Sequence, residues 1–256
     1  MVDNITDEVH KIEEEIRSSG LPLEIETTAI LKEHGWEVRN QVYYMDKDEG
    51  KARSVDIVAH KVFFENFGAH DRLNVSLVIE CKKSVKPWVF FTSSKEGQPL
   101  FELPMSIIKN FATPELKYSI NITRWMLKQM HYTSSLSKEC AVISYEPFKE
   151  GKGREVLEAT YQVTKALNYL LEFFRRTPKL FPIKPVYILY PAIVFDGHIF
   201  ECEPQNGNLK LSQSNYVQFF VEMEQTFLID IIGKEFLPKY LGIIDEEIRS
   251  LKEALK

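Results

Sequence analysis

Asp56 lies within the apolar run Ser54-Val-Asp-Ile-Val-Ala59, and 24 residues later Glu80 and Lys82 lie within Leu77-Val-Ile-Glu-Cys-Lys82. Burying a carboxylate is costly unless it is paired or bound to a cation, so three charges in Val/Ile-rich strands call for compensation. Side chains alternate along a strand, which puts Glu80 and Lys82 on one face and Cys81 on the other. If the two strands are neighbours, Asp56 reaches the same patch as Glu80. Two carboxylates suit a hard divalent cation such as Mg²⁺, and an ammonium beside them suits phosphodiester hydrolysis. The cation would polarise a phosphate and acidify a water, while the lysine orients that water or stabilises developing negative charge.

These residues resemble the PD-(D/E)xK nuclease superfamily, the restriction-endonuclease-like fold, and most closely its Mrr and Holliday-junction-resolvase-like branches. Members place a glutamate on a helix before the first strand, then the strand aspartate, then Glu-x-Lys. The stretch Gly20-Leu-Pro-Leu-Glu24-Ile-Glu26 through Gly35-Trp36-Glu-Val38 fits that opening. Pro22 suits a first helical turn, Leu23, Ile30 and Leu31 share an apolar stripe, and Gly35 suits the helix end. Glu24 is the preferred helical acid. Glu26 is the reserve, since the two lie about 200° apart around a helix and cannot both face one metal. Val55 stands where many members have proline. The resemblance covers roughly Gly20 to Phe91. It implies Mg²⁺ or Mn²⁺ held by Asp56, Glu80 and the backbone carbonyl of Cys81, with Lys82 activating water and Glu24 contributing to the metal environment. A glutamine on the helix after the catalytic strands helps in some branches, and Gln162 is the candidate here.

A plainer reading stands beside this one, because an Asp on one strand and a Glu-x-Lys on another can form a cross-strand ion pair or a solvated face. Ile199-Phe-Glu201-Cys-Glu203 repeats the Glu-Cys spelling without the lysine and reads as part of a polar hairpin.

Around these residues the patterns predict a helix over about 5–18, a helix carrying Glu24, and strands over about 36–45, 54–64 and 74–83 that form a meander. Four prolines break the stretch 86–120 into short pieces. A short helix over 122–130, a buried strand over 140–145 and a long helix over 155–175 follow. A strand over 186–195 turns at Asp196-Gly197 into one from Ile199. A hairpin at Gln205-Asn-Gly207-Asn, a strand over 227–232 and a helix over about 235–254 complete the chain. The expected fold is α/β, with a restriction-endonuclease-like mixed central sheet flanked by helices and a β-rich C-terminal part of the same domain. One domain over 1–256 is expected: an N-terminal helix (1–20), the motif region (21–91), a basic and aromatic insertion (92–138) and the remaining sheet with the last helix (139–256).

The net charge of −5 is unevenly spread. From Lys82 to Lys138 nine basic residues face three acids, leaving −11 elsewhere. Aromatic residues from Trp88 to Tyr132 are interleaved there, a pattern compatible with a nucleic-acid groove and equally with lysines over a buried aromatic core. Lys83 and Lys86, beside the motif, are the candidate nucleic-acid contacts. The acidic remainder makes a protein partner or a homodimer plausible. No apolar run approaches a membrane span, and the acidic N-terminus is unlike a secretory signal, so a cytoplasmic protein is expected. Cys81, Cys140 and Cys202 form no C-x-x-C pair and read as packed thiols; the six histidines lack zinc spacing and read as exposed or turn residues. There is no P-loop or dinucleotide fingerprint, so no nucleotide cofactor is expected. The expected activity is metal-dependent phosphodiester hydrolysis, most naturally of DNA. The alternatives are a defence-system effector nuclease that needs a partner or ligand, or a non-catalytic binding relative.

Overall fold

The computed structural model describes residues 2–67, 70–92, 141–148, 155–176, 185–205, 207–222 and 226–254. The chain begins with helices α1 (Val2–Ser18) and α2 (Leu21–Glu33). Pro22 sits in the first turn of α2, where a missing N–H is harmless. Gly35 ends that helix with φ +78°, and this left-handed residue lets the Trp36 N–H turn back to the Leu31 carbonyl at 3.0 Å. Leu23, Thr27 and Leu31 make up the buried stripe of α2.

Strands β1 (Glu37–Asp46), β2 (Lys51–Phe67) and β3 (His70–Lys83) follow as an antiparallel meander. Then come β4 (Trp88–Thr92), β5 (Ala141–Tyr145), α3 (Glu155–Arg176) and β6 (Pro185–Asp196). After these lie β7 (Ile199–Gln205), β8 (Asn208–Ser214), β9 (Tyr216–Glu222), β10 (Thr226–Gly233), a 3₁₀ turn (Lys234–Phe236) and α4 (Leu237–Ala254). All ten strands join one sheet in the order β1-β2-β3-β6-β10-β9-β5-β4-β7-β8. The sheet is mixed: β3 and β6 pair in parallel, as do β6 and β10, while β9 runs antiparallel to β10.

Helices cover both faces, as strand alternation requires. Ile57, Ala59, Leu77, Ile79 and Val194 pack toward α2 and α4. Val58, Val78, Leu189, Ile193 and Phe195 pack toward α3, which contributes Val156, Ala159, Val163 and Leu167. The architecture is thus α/β with a mixed sheet flanked by helices. Strand β9 is not foreseen from the residue pattern, because Gln218 interrupts its apolar run. Gln218 is nevertheless fully buried, with its amide 3.3 Å from the carboxylate of Asp230 on the neighbouring strand. The predicted helix over 122–130, Cys140 and nearly all of the 92–138 insertion lie outside the described residues. His60 departs from expectation: it is half-buried in β2 with its Nδ1 2.7 Å from Ser76 Oγ.

Candidate active site at a fork in the sheet

Strands β2 and β3 pair from Phe67↔His70 as far as Ile57↔Ile79 and then part. Beyond that point Glu80, Cys81, Lys82 and Lys83 keep only their parallel partners on β6, Ile193 to Asp196, which continue a ladder that starts at Arg72↔Pro185. The other flank of β2 is also irregular. The β1 ladder passes from Asn40↔Ile57 to Val42↔Val55, and the skipped Gln41 has φ +48°, uncommon for a residue with a Cβ. Asp56 therefore sits where regular pairing fails on both sides.

The fork leaves the Cys81 amide without a backbone acceptor on the β2 side, and the side chain of Asp56 replaces it. Cys81 N–H donates to Asp56 Oδ2 at 2.7 Å. The Cys81 thiol faces the opposite side, 3.9 Å from Thr27 Oγ1 of α2, and burial pushes its pKa well up.

Glu80 is 2% exposed. Its Oε1 accepts from Lys82 Nζ at 2.9 Å, and its Oε2 is buried with no hydrogen-bond partner. Burial, and then the charge of Asp56, raise its carboxyl to about 7 despite the pull of Lys82. Asp56 is raised chiefly by burial, against the Cys81 amide and the Lys82 charge. Glu24 is raised by burial and then by Asp56, again against Lys82. Glu24, Asp56, Glu80 and Lys82 thus share one electrostatic neighbourhood: three carboxyls, one ammonium and one orphaned buried oxygen. Glu26 is exposed and faces elsewhere, 3.9 Å from Lys234 Nζ, which is itself 3.3 Å from Asp196.

The remaining candidates lie outside this group. Lys83 Nζ donates to the Arg17 carbonyl at 3.2 Å, and Lys86 Nζ donates to the Phe148 carbonyl. Gln162 lies on α3, where its backbone carbonyl accepts from Tyr44 Oη at 3.4 Å and its side-chain oxygen is buried without a partner. Trp88 and Phe90 are fully buried, with Trp88 stacked on Phe195, so these two rings do not offer a surface for bases.

Protein-family models, curated proteins and solved structures gave no match to this chain. Among the described residues, no three His, Cys, Asp or Glu side chains converge into a ready-made cation cage. An oxygen-seeking cation that keeps several waters does not need one. The orphaned Oε2 of Glu80 fits such an ion, because a positive charge there would supply the missing contact and offset the repulsion between Glu80 and Asp56.

Two polar clusters were not legible in the sequence. Asp46, at the end of β1, accepts from Lys165 Nζ at 2.7 Å, Arg53 Nε at 3.1 Å and the Asp48 amide at 3.0 Å. The hydrogen bond from Lys165 is the main cause that lowers its carboxyl pKa. Two concavities lie here, between the β1–β2 turn and α3. Their charges are largely paired with one another. Inside the core, Asp230 accepts from Tyr216 Oη at 2.6 Å and Tyr240 Oη at 2.7 Å. Asp46-Lys-Asp-Glu-Gly50 reads only as a polar turn, and Asp230 only as a polar residue in a strand; their partners come from distant segments.

Proposed function

We propose that this chain is a metal-dependent nuclease of the PD-(D/E)xK type, hydrolysing phosphodiester bonds, most naturally in DNA. The observation that carries the reading is the orphaned, buried Oε2 of Glu80 at the fork where Asp56 and Lys82 also converge. A purely structural ion pair would be expected to satisfy that oxygen, since an unpaired buried acceptor costs about 1–3 kcal/mol. The α/β architecture, with its mixed sheet and flanking helices, is compatible with a restriction-endonuclease-like fold.

Asp56, Glu80 and the Cys81 carbonyl would hold Mg²⁺ or Mn²⁺, with Glu24 completing the acidic surroundings. Bound there, such a cation supplies Lewis-acid polarisation of a phosphoryl oxygen and acidification of a water. Lys82 does the work of this chain's own residues at the reacting phosphate. Its ammonium, more than a quarter exposed and tied to Glu80, can orient a water and offset negative charge as it develops. Asp56 fixes the backbone of Cys81 and thereby the direction of its carbonyl. The irregular backbone around Gln41 and Asp56 is the kind of local strain that clusters at functional sites.

The test is cleavage of supercoiled, linear, branched and single-stranded DNA and of RNA, with Mg²⁺ or Mn²⁺ against EDTA, and with Lys82→Ala alongside. Cation-dependent cutting that disappears in the variant supports the reading. Cutting by Lys82→Ala at the wild-type rate would overturn the site assignment. Absence of cutting by both proteins, together with absence of Mn²⁺ binding in calorimetry, would overturn the function.

A further inference from the structure

The first helix carries an apolar face that nothing among the described residues covers. Val9, Ile12 and Ile16 of α1 are 46, 50 and 43% exposed. Their alternating spacing of three and four is that of the a and d positions of a coiled-coil seam, and in the sequence it extends back through Ile5 to Val2. Scattered exposed apolar residues need no explanation, but a continuous stripe at this spacing is a surface built to meet another helix.

The charges beside the stripe say which kind of helix. The positions flanking the seam, e and g in the heptad, hold Thr6, Glu8, Glu13 and Glu15: three acids and no cation. The helix's two cations, Lys11 and Arg17, fall at outer positions. Glu13 has only weak neighbours on its own helix, Arg17 at 3.9 Å and His10 at 4.0 Å, all well exposed. A second copy of α1 would set glutamate against glutamate in either orientation, parallel or antiparallel, which disfavours self-pairing. A helix whose apolar seam is flanked by lysine or arginine would match both the stripe and its acidic borders.

The position of α1 connects this face to the fork. Its C-terminal turn is held by Lys83, whose ammonium donates to the Arg17 carbonyl at 3.2 Å, one residue beyond Lys82. The helix also rests on α2, which carries Glu24. We propose that α1 is a docking helix for a partner protein that presents a basic amphipathic helix, pairing with it as a short two-stranded coiled coil. The 17 residues of α1 supply about two heptads, so the contact is short and its selectivity comes from charge.

This inference does not rest on the nuclease reading, because binding is measured without cleavage. The full chain is titrated with two labelled helical peptides that share one isoleucine and leucine seam, one with lysine and the other with glutamate at every e and g position. The lysine peptide should bind at least about tenfold more tightly, an advantage that salt weakens. The triple variant Glu8→Lys/Glu13→Lys/Glu15→Lys, checked for an unchanged circular dichroism spectrum, should reverse the preference. Ile12→Asp should abolish binding of both. Equal binding of the two peptides, or binding of neither, would overturn the proposal. So would concentration-dependent dimerisation of the unmodified chain in sedimentation that Ile12→Asp abolishes, since a second copy would then cover the face.

Discussion

Asp56 accepts the backbone N–H of Cys81 at 2.7 Å at the point where β2 leaves β3, so this carboxylate is a structural acceptor as well as a candidate ligand. The two roles separate by substitution. Asp56→Ala strands the Cys81 amide and should destabilise the fold by about 1–3 kcal/mol in urea titration. Asp56→Asn keeps an acceptor oxygen and should retain most of that stability while losing Mn²⁺ binding in calorimetry. If the two variants were equally unstable, the hydrogen bond would not be what Asp56 contributes.

On the metal-site reading, the Glu80 carboxyl should set the pH at which a cation binds. Its carboxyl is lifted to about 7, chiefly by burial and then by Asp56. A protonated carboxyl competes with the metal, so affinity should fall as pH drops below about 7, approaching about tenfold per pH unit, with a proton released on binding. Calorimetry near pH 6 in two buffers of different ionisation enthalpy reads that proton directly. Identical heats in both buffers would contradict the assignment.

Lys82→Ala should reduce cleavage on the order of a hundredfold or more while leaving much of the cation affinity, because an ammonium is not a ligand. The lysine also pulls the Glu80 carboxyl down, so its removal should shift the pH midpoint of Mn²⁺ binding upward. An unchanged midpoint would mean that the contact at 2.9 Å does not persist in solution.

Glu24→Ala should impair cleavage more than Glu26→Ala. Glu24 feels Asp56 and Lys82, whereas Glu26 is exposed and lies beside Lys234. The reverse order in a single-turnover assay would transfer the helical role to Glu26.

Asp230 makes a prediction independent of function. It is buried among Tyr216, Gln218 and Tyr240, and burial lifts its carboxyl from 3.8 to about 6 against the hydrogen bonds those side chains donate. The folded state therefore holds this proton at pH values where the unfolded chain has lost it. The resulting destabilisation is fully present above about pH 6 and is relieved as pH falls toward 3.8, amounting to the order of 3 kcal/mol. Glu247, fully buried and raised by burial and by Asp230, and Glu80, raised to about 7, act in the same direction. Asp46, whose carboxyl is lowered, acts in the opposite sense, in the more acid range. The urea midpoint should rise from neutral pH to about pH 5, and the rise should be smaller in Asp230→Asn, which leaves only the other raised carboxyls. A midpoint that falls over that range in both proteins would refute the sign.

The sequence by itself determined the elements and the chemical set. Helices α2 and α3 and the strands bearing Asp56 and Glu80 follow from periodicity and punctuation, which act over a few residues. The anomaly of three charges in apolar strands was equally plain. Tertiary structure decided what those charges do. That β2 and β3 part at Ile57↔Ile79, that Gln41 takes a positive φ and that one oxygen of Glu80 has no partner depend on strand register, which local sequence specifies only weakly. The same holds for Lys165 on Asp46 and for Tyr240 on Asp230, where packing brings separate segments of the chain together. Between Glu24 and Glu26 the helical repeat says only that one must turn away. The docking of α2 against the sheet leaves Glu24 within electrostatic reach of Asp56 and Glu26 beside Lys234.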